Sequence, residues 1–208
     1  MNHLTEDSRC NQKVNMKKLS ILIPSIPQRR KTFLARILDY LELQIKDRDD
    51  IEILCLYDNQ SLILGDKRNS LLTTATGQYV TFVDDDDWVV PNYVEKIVEA
   101  INSNPDVDVI VYDTICTDII AGTRVHCKYG IEFDYNHNYS GRGFWTGPPA
   151  HTMVFRRELV KDIKFPPKKC GEDSDWARQA ALVTKTQYRI NDILYYYDFN
   201  METSATRS

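Results

Sequence analysis

Residues 79–88 read YVTFVDDDDW, and this stretch decides how the rest of the chain is interpreted. The segment YVTFV is short, apolar and rich in β-branched and aromatic residues, a composition typical of a buried strand. Four consecutive aspartates, Asp84 to Asp87, follow it directly. Because alternate side chains share a face in extended chain, we predict that Asp84 and Asp86 point the same way.

The residues before this stretch alternate between strand and helix patterns. We predict strands over residues 19–24 (LSILIP) and 51–57 (IEILCLY), and helices over residues 31–45 and 67–74. The order strand–helix–strand–helix–strand is typical of an α/β fold with a parallel sheet and helices on its faces. Since ligands bind at the carboxyl ends of such strands, Ser25, Asp58 and the aspartates are predicted to meet at one site.

The second half of the chain shows further helix and strand patterns. A helix is predicted from Pro91 onward, because apolar residues recur there at helical spacing. The other elements are predicted as a strand over residues 107–114, a hairpin turn at 121–123 returning over 124–129, a strand over 152–155, a helix over 174–183 and a strand over 188–199. Residues 130–149 show no clear period and are predicted to form a long loop.

The composition indicates an ordinary globular protein, with 42% apolar and 27% charged residues in a chain of 208. The net charge of −4 carries no signature of bulk nucleic-acid binding. Five cysteines without a CxxC pair argue against a disulfide framework or zinc site and favour a cytoplasmic location. No apolar stretch approaches the ~20 residues of a membrane span. Residues 1–16 are interpreted as a disordered leader before one domain at 17–208, with Met16 as an alternative start.

The aspartate run is the strongest chemical signal. Two carboxylates ~4 Å apart repel by roughly 4 kcal/mol at an effective dielectric of 20, so protons or a cation must relieve the repulsion. Hard oxygen ligands suit Mg²⁺ or Mn²⁺, and Mg²⁺ usually takes one or two carboxylates together with substrate phosphates. The alternative is a solvated acidic turn. The position at the end of a buried strand favours a metal site.

Four segments of the chain carry a resemblance to a known family. They are LSILIPSIPQRR at residues 19–30, IEILCLYDNQS at 51–61, GDKRNSLLTTATGQYVTFVDDDDW at 65–88 and GEDSDW at 171–176. In order and spacing they resemble family 2 glycosyltransferases with the GT-A fold. The resemblance implies a Rossmann-like, mostly parallel sheet flanked by helices, with a small antiparallel region on the acceptor side. It also implies a nucleotide-sugar-binding half at residues 17–88 and an acceptor and catalytic half at 89–208.

The resemblance also implies roles for single residues. The donor nucleotide is expected to contact five residues: Ser25, Asp58, Arg68, Asp84 and Asp85. Asp86 matches the family's metal ligand, with Asp84 beside the ribose or the metal. Many relatives carry a histidine near the C-terminal end that completes the metal shell, and Asn200 stands near that place here. Glu172 and Asp173 match the family's late acidic pair, whose aspartate is the general base.

These roles also have support from the chemistry of the residues. Arg68 can offer fixed positive charge to a departing diphosphate, the alternative being a solvated helix residue. An ionised Asp173 can take the proton of an attacking hydroxyl, and direct attack would invert the anomeric centre. The alternative is that Glu172 and Asp173 only stabilise the start of a helix.

Three further residues are candidates for the acceptor or sugar site. Trp145 and Trp88 have ring faces that can stack on a sugar, although aromatic residues more often pack in a core. Trp145 lies in the glycine-rich segment GRGFWTGPPAH, and His151 ends that segment. A lone histidine is more often structural than functional.

The sequence therefore predicts a metal-dependent glycosyltransferase that uses Mn²⁺ or Mg²⁺ and transfers one sugar from a nucleotide-sugar donor. A UDP-sugar is favoured by the resemblance. The acceptor is open between a glycan, a lipid-linked sugar, a protein and a nucleobase. The alternatives are a sugar nucleotidyltransferase, which would show a glycine-rich phosphate loop, a non-catalytic nucleotide-sugar-binding module, and a metal-dependent nuclease, which would show more basic surface.

Overall fold

Three parallel strands form the first half of the sheet in this computed structural model, which describes residues 16–134, 140–168 and 170–199. They are β1 (Leu19–Ser25), β2 (Ile51–Tyr57) and β3 (Tyr79–Phe82). β1 lies between the other two and pairs with both in parallel. The three strands agree with the sequence prediction to within one residue at each end, because each is a short apolar run with polar neighbours.

The central sheet continues through strands from the second half of the chain. β9 (Val154–Arg156) pairs antiparallel with β3 and also with β5 (Val109–Asp118). β10 (Gln187–Phe199) runs parallel to β5 and also pairs with the short strand β4 (Trp88–Val89). Because β9 opposes both of its neighbours, β5 and β10 point the same way as β1, β2 and β3. The central sheet is therefore mostly parallel, as the resemblance implied.

A smaller, largely antiparallel region extends the sheet at its other end. β5 forms a hairpin with β6 (Thr123–Tyr129), as predicted. The prediction of a structureless loop over residues 130–149 is wrong in part, since it contains β7 (Ser140–Gly141) and β8 (Phe144–Gly147). β8 pairs in parallel with β6. Its four residues are too few to show a period of two, so only the pairing with β6 identifies it.

The helices cover this sheet. The segment after β1 forms a 3₁₀ turn (Pro27–Arg29) and one π-helical turn (Arg30–Leu34) before α1 (Ala35–Ile45). The other helices are α2 (Leu64–Thr74), α3 (Tyr93–Ser103), α4 (Arg157–Val160) and α5 (Glu172–Val183). The predicted start at residue 31 is therefore wrong for regular helix. Helices α2 and α5 begin three and two residues earlier than predicted, since neither start carries a side-chain cap.

One apolar core joins the sheet and the helices. Ile21 on β1, Ile37 on α1, Ile97 on α3 and Trp176 on α5 are all fully buried in it. α2 contacts β1 and β2, whereas α3 contacts β5 and β10. This packing fixes the carboxyl ends of β1 and β3 relative to the start of α5, where the site lies. In the described part of the chain, every helix is too short or too polar to cross a membrane.

Candidate active site

A cavity of about 790 Å³ opens at the carboxyl ends of β1 and β3. One side is formed by the aspartate run, and another by the first residues of α5. Strands β5, β6 and β8 supply a third side. The parallel sheet therefore places its strand ends around one space, as expected for an α/β ligand site.

The aspartate run forms a tight turn rather than extended chain. The Asp87 N–H donates to the Asp84 carbonyl oxygen at 3.2 Å, which folds the run back on itself. The prediction that Asp84 and Asp86 share a face because the chain is extended is therefore wrong, since the run is not extended. Both side chains nevertheless border the cavity, because the turn directs them there.

Arginine offsets much of the repulsion between these carboxylates. Arg29 Nη1 lies 2.7 Å from Asp85 Oδ1 and 2.9 Å from Asp86 Oδ2. Ser25 Oγ donates a second hydrogen bond to Asp85 at 2.5 Å. Ser25 and Asp85 both border the cavity, and their contact with a donor nucleotide stays a prediction. Sequence reasoning missed Arg29, although the basic run PQRR directly after β1 was its signal.

Burial and mutual repulsion raise the pKa of three of the carboxyls, those of Asp85, Asp86 and Asp87. Burial, followed by the repulsion from Asp84 and Asp85, raises the pKa of Asp86 to about 6 despite Arg29. Burial and the same kind of repulsion hold the pKa of Asp87 well above its ordinary value. Tyr195 donates to Asp87 Oδ2 at 2.6 Å and accepts from the Asp84 N–H at 3.0 Å. This tyrosine ties the turn to β10.

Arg68 lies beneath the turn and links it to α5. Its Nη2 lies 2.9 Å from Asp84 Oδ1, and its Nε lies 3.4 Å from Glu172 Oε1. The side chain is only 3% exposed, so the alternative of a solvated helix residue is wrong. Its Nη1 is buried without a hydrogen-bond partner, and the residue borders the cavity. Burial raises the pKa of Asp84, but Arg68 and His151 outweigh it and hold that pKa below the ordinary value.

The two members of the late acidic pair have different surroundings. Glu172 is buried against Arg68, and burial raises its pKa even though Arg68 opposes the rise. Asp173 borders the cavity and its side chain is 37% exposed. Gly171 before them has a φ of 78°, a left-handed conformation that other residues rarely adopt. This backbone conformation begins α5 at the cavity edge.

His151 connects the aspartate run to Asp173. Its Nε2 lies 3.5 Å from Asp84 Oδ2, and its Nδ1 lies 3.7 Å from Asp173 Oδ2. The ring is buried and borders the cavity. The sequence grouped His151 with the predicted acceptor residues. In the structure it lies between Asp84, a predicted donor and metal residue, and Asp173, the predicted base.

The two candidate tryptophans occupy different environments. Trp145 borders the cavity, with its ring centroid 5.4 Å from that of Tyr129. Trp88 is not among the residues that border the cavity, so the structure does not bring it to the predicted sugar site. Instead the Arg36 guanidinium lies over the Trp88 ring at 3.8 Å. The physical reason is that β4 pairs with β10 and directs Trp88 toward α1.

The side chain of Arg36 binds the backbone of the acidic turn. Its Nη2 donates to the carbonyl oxygens of Asp86 and Asp87, each at 3.2 Å. Trp88 therefore supports the site indirectly, by packing on the arginine that holds the turn. Neither contact has a local sequence signal, because α1 and the turn are 50 residues apart.

Asp58 is also separated from the cavity. It forms an ion pair with the buried Lys67 at 2.5 Å and accepts from the Leu62 N–H at 2.7 Å. These contacts outweigh burial and hold the pKa of Asp58 below its ordinary value. Lys67 Nζ also donates to the Ser25 carbonyl oxygen at 2.9 Å. The structure therefore gives Asp58 a place in a loop that supports Ser25, and it does not bring Asp58 to the cavity lining.

The remaining site prediction concerns the metal. Asn200, the further ligand candidate, lies outside the described residues. Among the residues that the structure describes, no group of three or more His, Cys, Asp or Glu side chains is arranged to hold an ion on its own. Asp84 and Asp86 are left as two carboxylates at the cavity edge, each in contact with an arginine.

An uncharged part of the cavity lining was not recognised from sequence. It is formed by uncharged residues of the β5–β6 hairpin: Thr114, Cys116, Val125, Cys127 and Tyr129. The cysteines are free thiols, and burial raises the pKa of both. Alternation along the hairpin brings these residues to one face, but the sequence alone does not say which face meets the cavity.

The family of the chain follows from a match to the family model described as glycosyl transferase family 2. That model matches residues 42–164, more than half of the chain. The chain belongs to glycosyl transferase family 2. The matched region contains the aspartate run, Arg68, Trp145 and His151, whereas Ser25 and the Glu172–Asp173 pair lie outside it.

Relatives agree with this assignment. The chain is 24% identical over 163 residues to glycosyltransferase GlyA of Streptococcus pneumoniae serotype 4 (strain ATCC BAA-334 / TIGR4), and the match covers 73% of this chain and 23% of that protein. The chain thus spans about a quarter of the length of this relative.

Solved structures share the fold. A structure of S. aureus TarS 1–349 in complex with UDP-GlcNAc superposes with a TM-score of 0.62 at 18% identity, covering 92% of this chain and 61% of the other. The mannosyltransferase PcManGT from Pyrobaculum calidifontis, in complex with GDP-Man and Mn²⁺, gives a TM-score of 0.57 at 15% identity, covering 89% and 58%. At these identities the likeness shows a shared GT-A architecture.

Proposed function

We propose that this chain transfers one sugar from a nucleoside-diphosphate sugar, favouring a UDP-sugar, to an acceptor hydroxyl, with inversion and with help from Mn²⁺ or Mg²⁺. The observation that carries the proposal is that Asp84, Asp86 and Asp173 border one cavity. Membership of glycosyl transferase family 2 supports the reaction class. The UDP-GlcNAc complex of TarS supports the donor class, since the two proteins share a fold.

The residues present fit a divalent cation that is shared with the donor. Asp84 and Asp86 offer hard oxygen ligands at the cavity edge, and Mg²⁺ commonly combines one or two carboxylates with substrate phosphates. No described group holds an ion by itself, so phosphate oxygens would have to complete the coordination. A bound cation supplies Lewis-acid stabilisation of the charge that grows on the leaving diphosphate. The Mn²⁺ in the PcManGT structure supports this cofactor class.

The arginine beneath the turn has a place in the same step. Arg68 Nη1 is a buried donor without a partner in a residue that borders the cavity. A charge-assisted hydrogen bond from this group to a diphosphate oxygen would satisfy it. Arg68 would then stabilise the leaving group while keeping its ion pairs with Asp84 and Glu172.

Asp173 is the proposed general base. It is the more exposed member of the acidic pair, while Glu172 is engaged by Arg68. An ionised Asp173 would take the proton of the acceptor hydroxyl as that oxygen attacks the anomeric carbon. Because the attack comes from the side opposite the leaving diphosphate, the configuration inverts. Glu172 serves as the residue that positions Arg68.

The two halves of the chain would bind different substrates. Residues 17–88 provide the donor side through Ser25, Arg68 and the aspartate run, and residues 89–208 provide Asp173 and the acceptor side with Trp145 and His151. We also propose a cytoplasmic location, because the five cysteines of the sequence include no CxxC pair and are odd in number.

A thermal-shift panel of UDP, GDP, CDP and dTDP, with and without Mn²⁺, tests the proposal. We expect one diphosphate, with UDP favoured, to raise Tm and to do so more strongly with Mn²⁺, because a ligand that binds the folded state stabilises it. Hydrolysis of the matching nucleotide sugar would then separate an enzyme from a binding module. If the folded protein responds to none of the four, the proposal is wrong.

A further inference from the structure

Arg29 occupies an unusual position between two carboxylates. It ends the 3₁₀ turn after β1, and its Nη1 contacts both Asp85 and Asp86 at hydrogen-bond distance. The side chain is 10% exposed and borders the cavity. A guanidinium group is therefore already seated where the aspartate run faces the space proposed for a diphosphate.

The two contacts of Arg29 differ in how firmly the carboxylate is held. Asp85 is 3% exposed and also accepts from Ser25 Oγ, so it stays in place without Arg29. Asp86 is 24% exposed, and among the described residues its carboxylate forms an ion pair with Arg29 alone. The contact with Asp86 is therefore the one that can be exchanged while Arg29 keeps its contact with Asp85.

We propose that Arg29 couples metal binding to donor binding: it neutralises Asp86 while the cavity is empty, and it releases Asp86 toward a divalent cation when it can turn to the donor diphosphate. This inference rests on the proposed function. It adds that Arg29 is a positioning residue acting through Asp86, and that neither ligand binds well without the other.

The charges around the turn explain this coupling. A divalent cation on Asp86 would stand close to the guanidinium of Arg29, and like charges in a partly buried site repel. A diphosphate offers new oxygen partners to both positive groups and so removes the repulsion. Arginine suits such an exchange, because its planar donors match phosphate oxygens as well as carboxylate oxygens. Mn²⁺ alone is then expected to bind weakly, and UDP is expected to strengthen it.

The experiment measures the coupling itself. Isothermal titration calorimetry gives the Kd of Mn²⁺ with and without saturating UDP, and the ratio of the two is the coupling factor. By linkage the same factor must appear in the Kd of UDP with and without Mn²⁺, which checks each measurement. The proteins are the wild type, Arg29→Gln and the matched control Arg30→Gln. Arg30 is exposed and lies over the Tyr57 ring at 5.2 Å, so it tests the loss of one charge at the neighbouring residue.

For the wild type we expect a coupling factor of at least about 10, within the usual range for linked sites. Arg29→Gln should bind Mn²⁺ alone about 5-fold more tightly, and its coupling factor should fall about 5-fold or more. Arg30→Gln should behave as the wild type. An unchanged coupling factor in Arg29→Gln, or weaker binding of Mn²⁺ alone, overturns the inference.

Folding and the proposed function are separated by the same data. If Arg29→Gln does not fold by circular dichroism, Arg29→Met replaces it, since methionine keeps an unbranched side chain but removes the charge; wild-type coupling in that variant overturns the inference. If the wild type shows coupled binding of UDP and Mn²⁺ that Arg29 does not affect, the inference fails and the proposed function stands. If the folded wild type binds neither, the proposed function fails as well.

Discussion

The cavity has two sides that are built from different materials. On the side proposed to hold the donor, hereafter the donor side, Asp84, Asp85 and Asp86 are joined to Arg29 and Arg68 by ion pairs that connect distant parts of the chain. On the side proposed to hold the acceptor, hereafter the acceptor side, the β5–β6 hairpin and β8 present thiols, a valine and aromatic rings. We therefore expect charge to determine what binds on the donor side, and packing against uncharged side chains to determine what binds on the acceptor side. This difference fits a protein that holds one common chemical group, a diphosphate, and must separately recognise a particular acceptor.

The largest expected effect comes from Asp173, the proposed general base. We expect Asp173→Asn to lower the transfer rate about 10³-fold, because an amide cannot accept the proton of the acceptor hydroxyl. UDP affinity should stay within about 2-fold, since Asp173 lies outside the ion pairs of the donor side. Asp175→Asn is the matched control, because Asp175 lies on the same helix and pairs with Lys168. Wild-type transfer by Asp173→Asn would remove it as the base.

The second effect concerns the stability of the donor side. We expect Arg68→Met to lower the free energy of unfolding by about 3 kcal/mol, because it leaves Asp84 and Glu172 without their buried partner. The control Arg48→Met breaks a more exposed pair with Asp50 and should cost less than about 1 kcal/mol. Urea denaturation measures both. Equal losses would show that the donor-side pair is no more important than a surface pair.

The third prediction contrasts two tryptophans. We expect Trp145→Leu to raise the acceptor KM about 10-fold without changing UDP affinity, because a stacking surface on the acceptor side is lost. Trp88→Leu should do the reverse and weaken UDP binding a few-fold, because Arg36 loses the ring it packs on and holds the turn less well. Steady-state kinetics and UDP titration separate the two. The comparison of the two sides fails if both variants change the same constant.

The smallest expected effect is the pH dependence of stability. The pKa of Asp86 is raised to about 6 in the folded protein. As pH falls, the folded state therefore takes up a proton near pH 6, whereas the unfolded state takes it up only at a much lower pH. Stability should therefore rise as pH falls from 7 to 5, by about 1 kcal/mol from this group. Asp86→Asn should lack this part of the rise in urea denaturation at both pH values. Parallel pH profiles for the two proteins would contradict the prediction.

The sequence predicted features that depend on neighbouring residues. The order of the first five elements, the hairpin at Gly122 and the last strand all follow from short apolar patterns and turn residues. The position of the aspartate run was also predictable, since the run directly follows an apolar strand and so lies at the carboxyl end of that strand. Asp173 was predicted from a family motif and Trp145 and His151 from their place in or beside a glycine-rich segment, and all three border the cavity.

The sequence could not predict which side chains pair across the fold. Arg29 and Asp85 are 56 residues apart, and their contact exists only because β1 and β3 are adjacent. Trp88 and Asp58 carried plausible chemistry, but local turns and neighbouring strands direct them away from the cavity. A motif specifies which groups are available, whereas tertiary packing decides which of them are already engaged.

The Tyr195 hydroxyl gives the protein an order of assembly. It accepts from the Asp84 amide, which lies 111 residues earlier in the chain, donates to the Asp87 carboxyl, and lies on β10. During synthesis from the N-terminus, all four aspartates leave the ribosome long before this hydroxyl exists. A nascent or truncated chain that ends before residue 195 therefore carries the complete acidic run without the hydroxyl that holds the turn, and we expect its ligand affinity there to be lower than that of a chain that includes Tyr195.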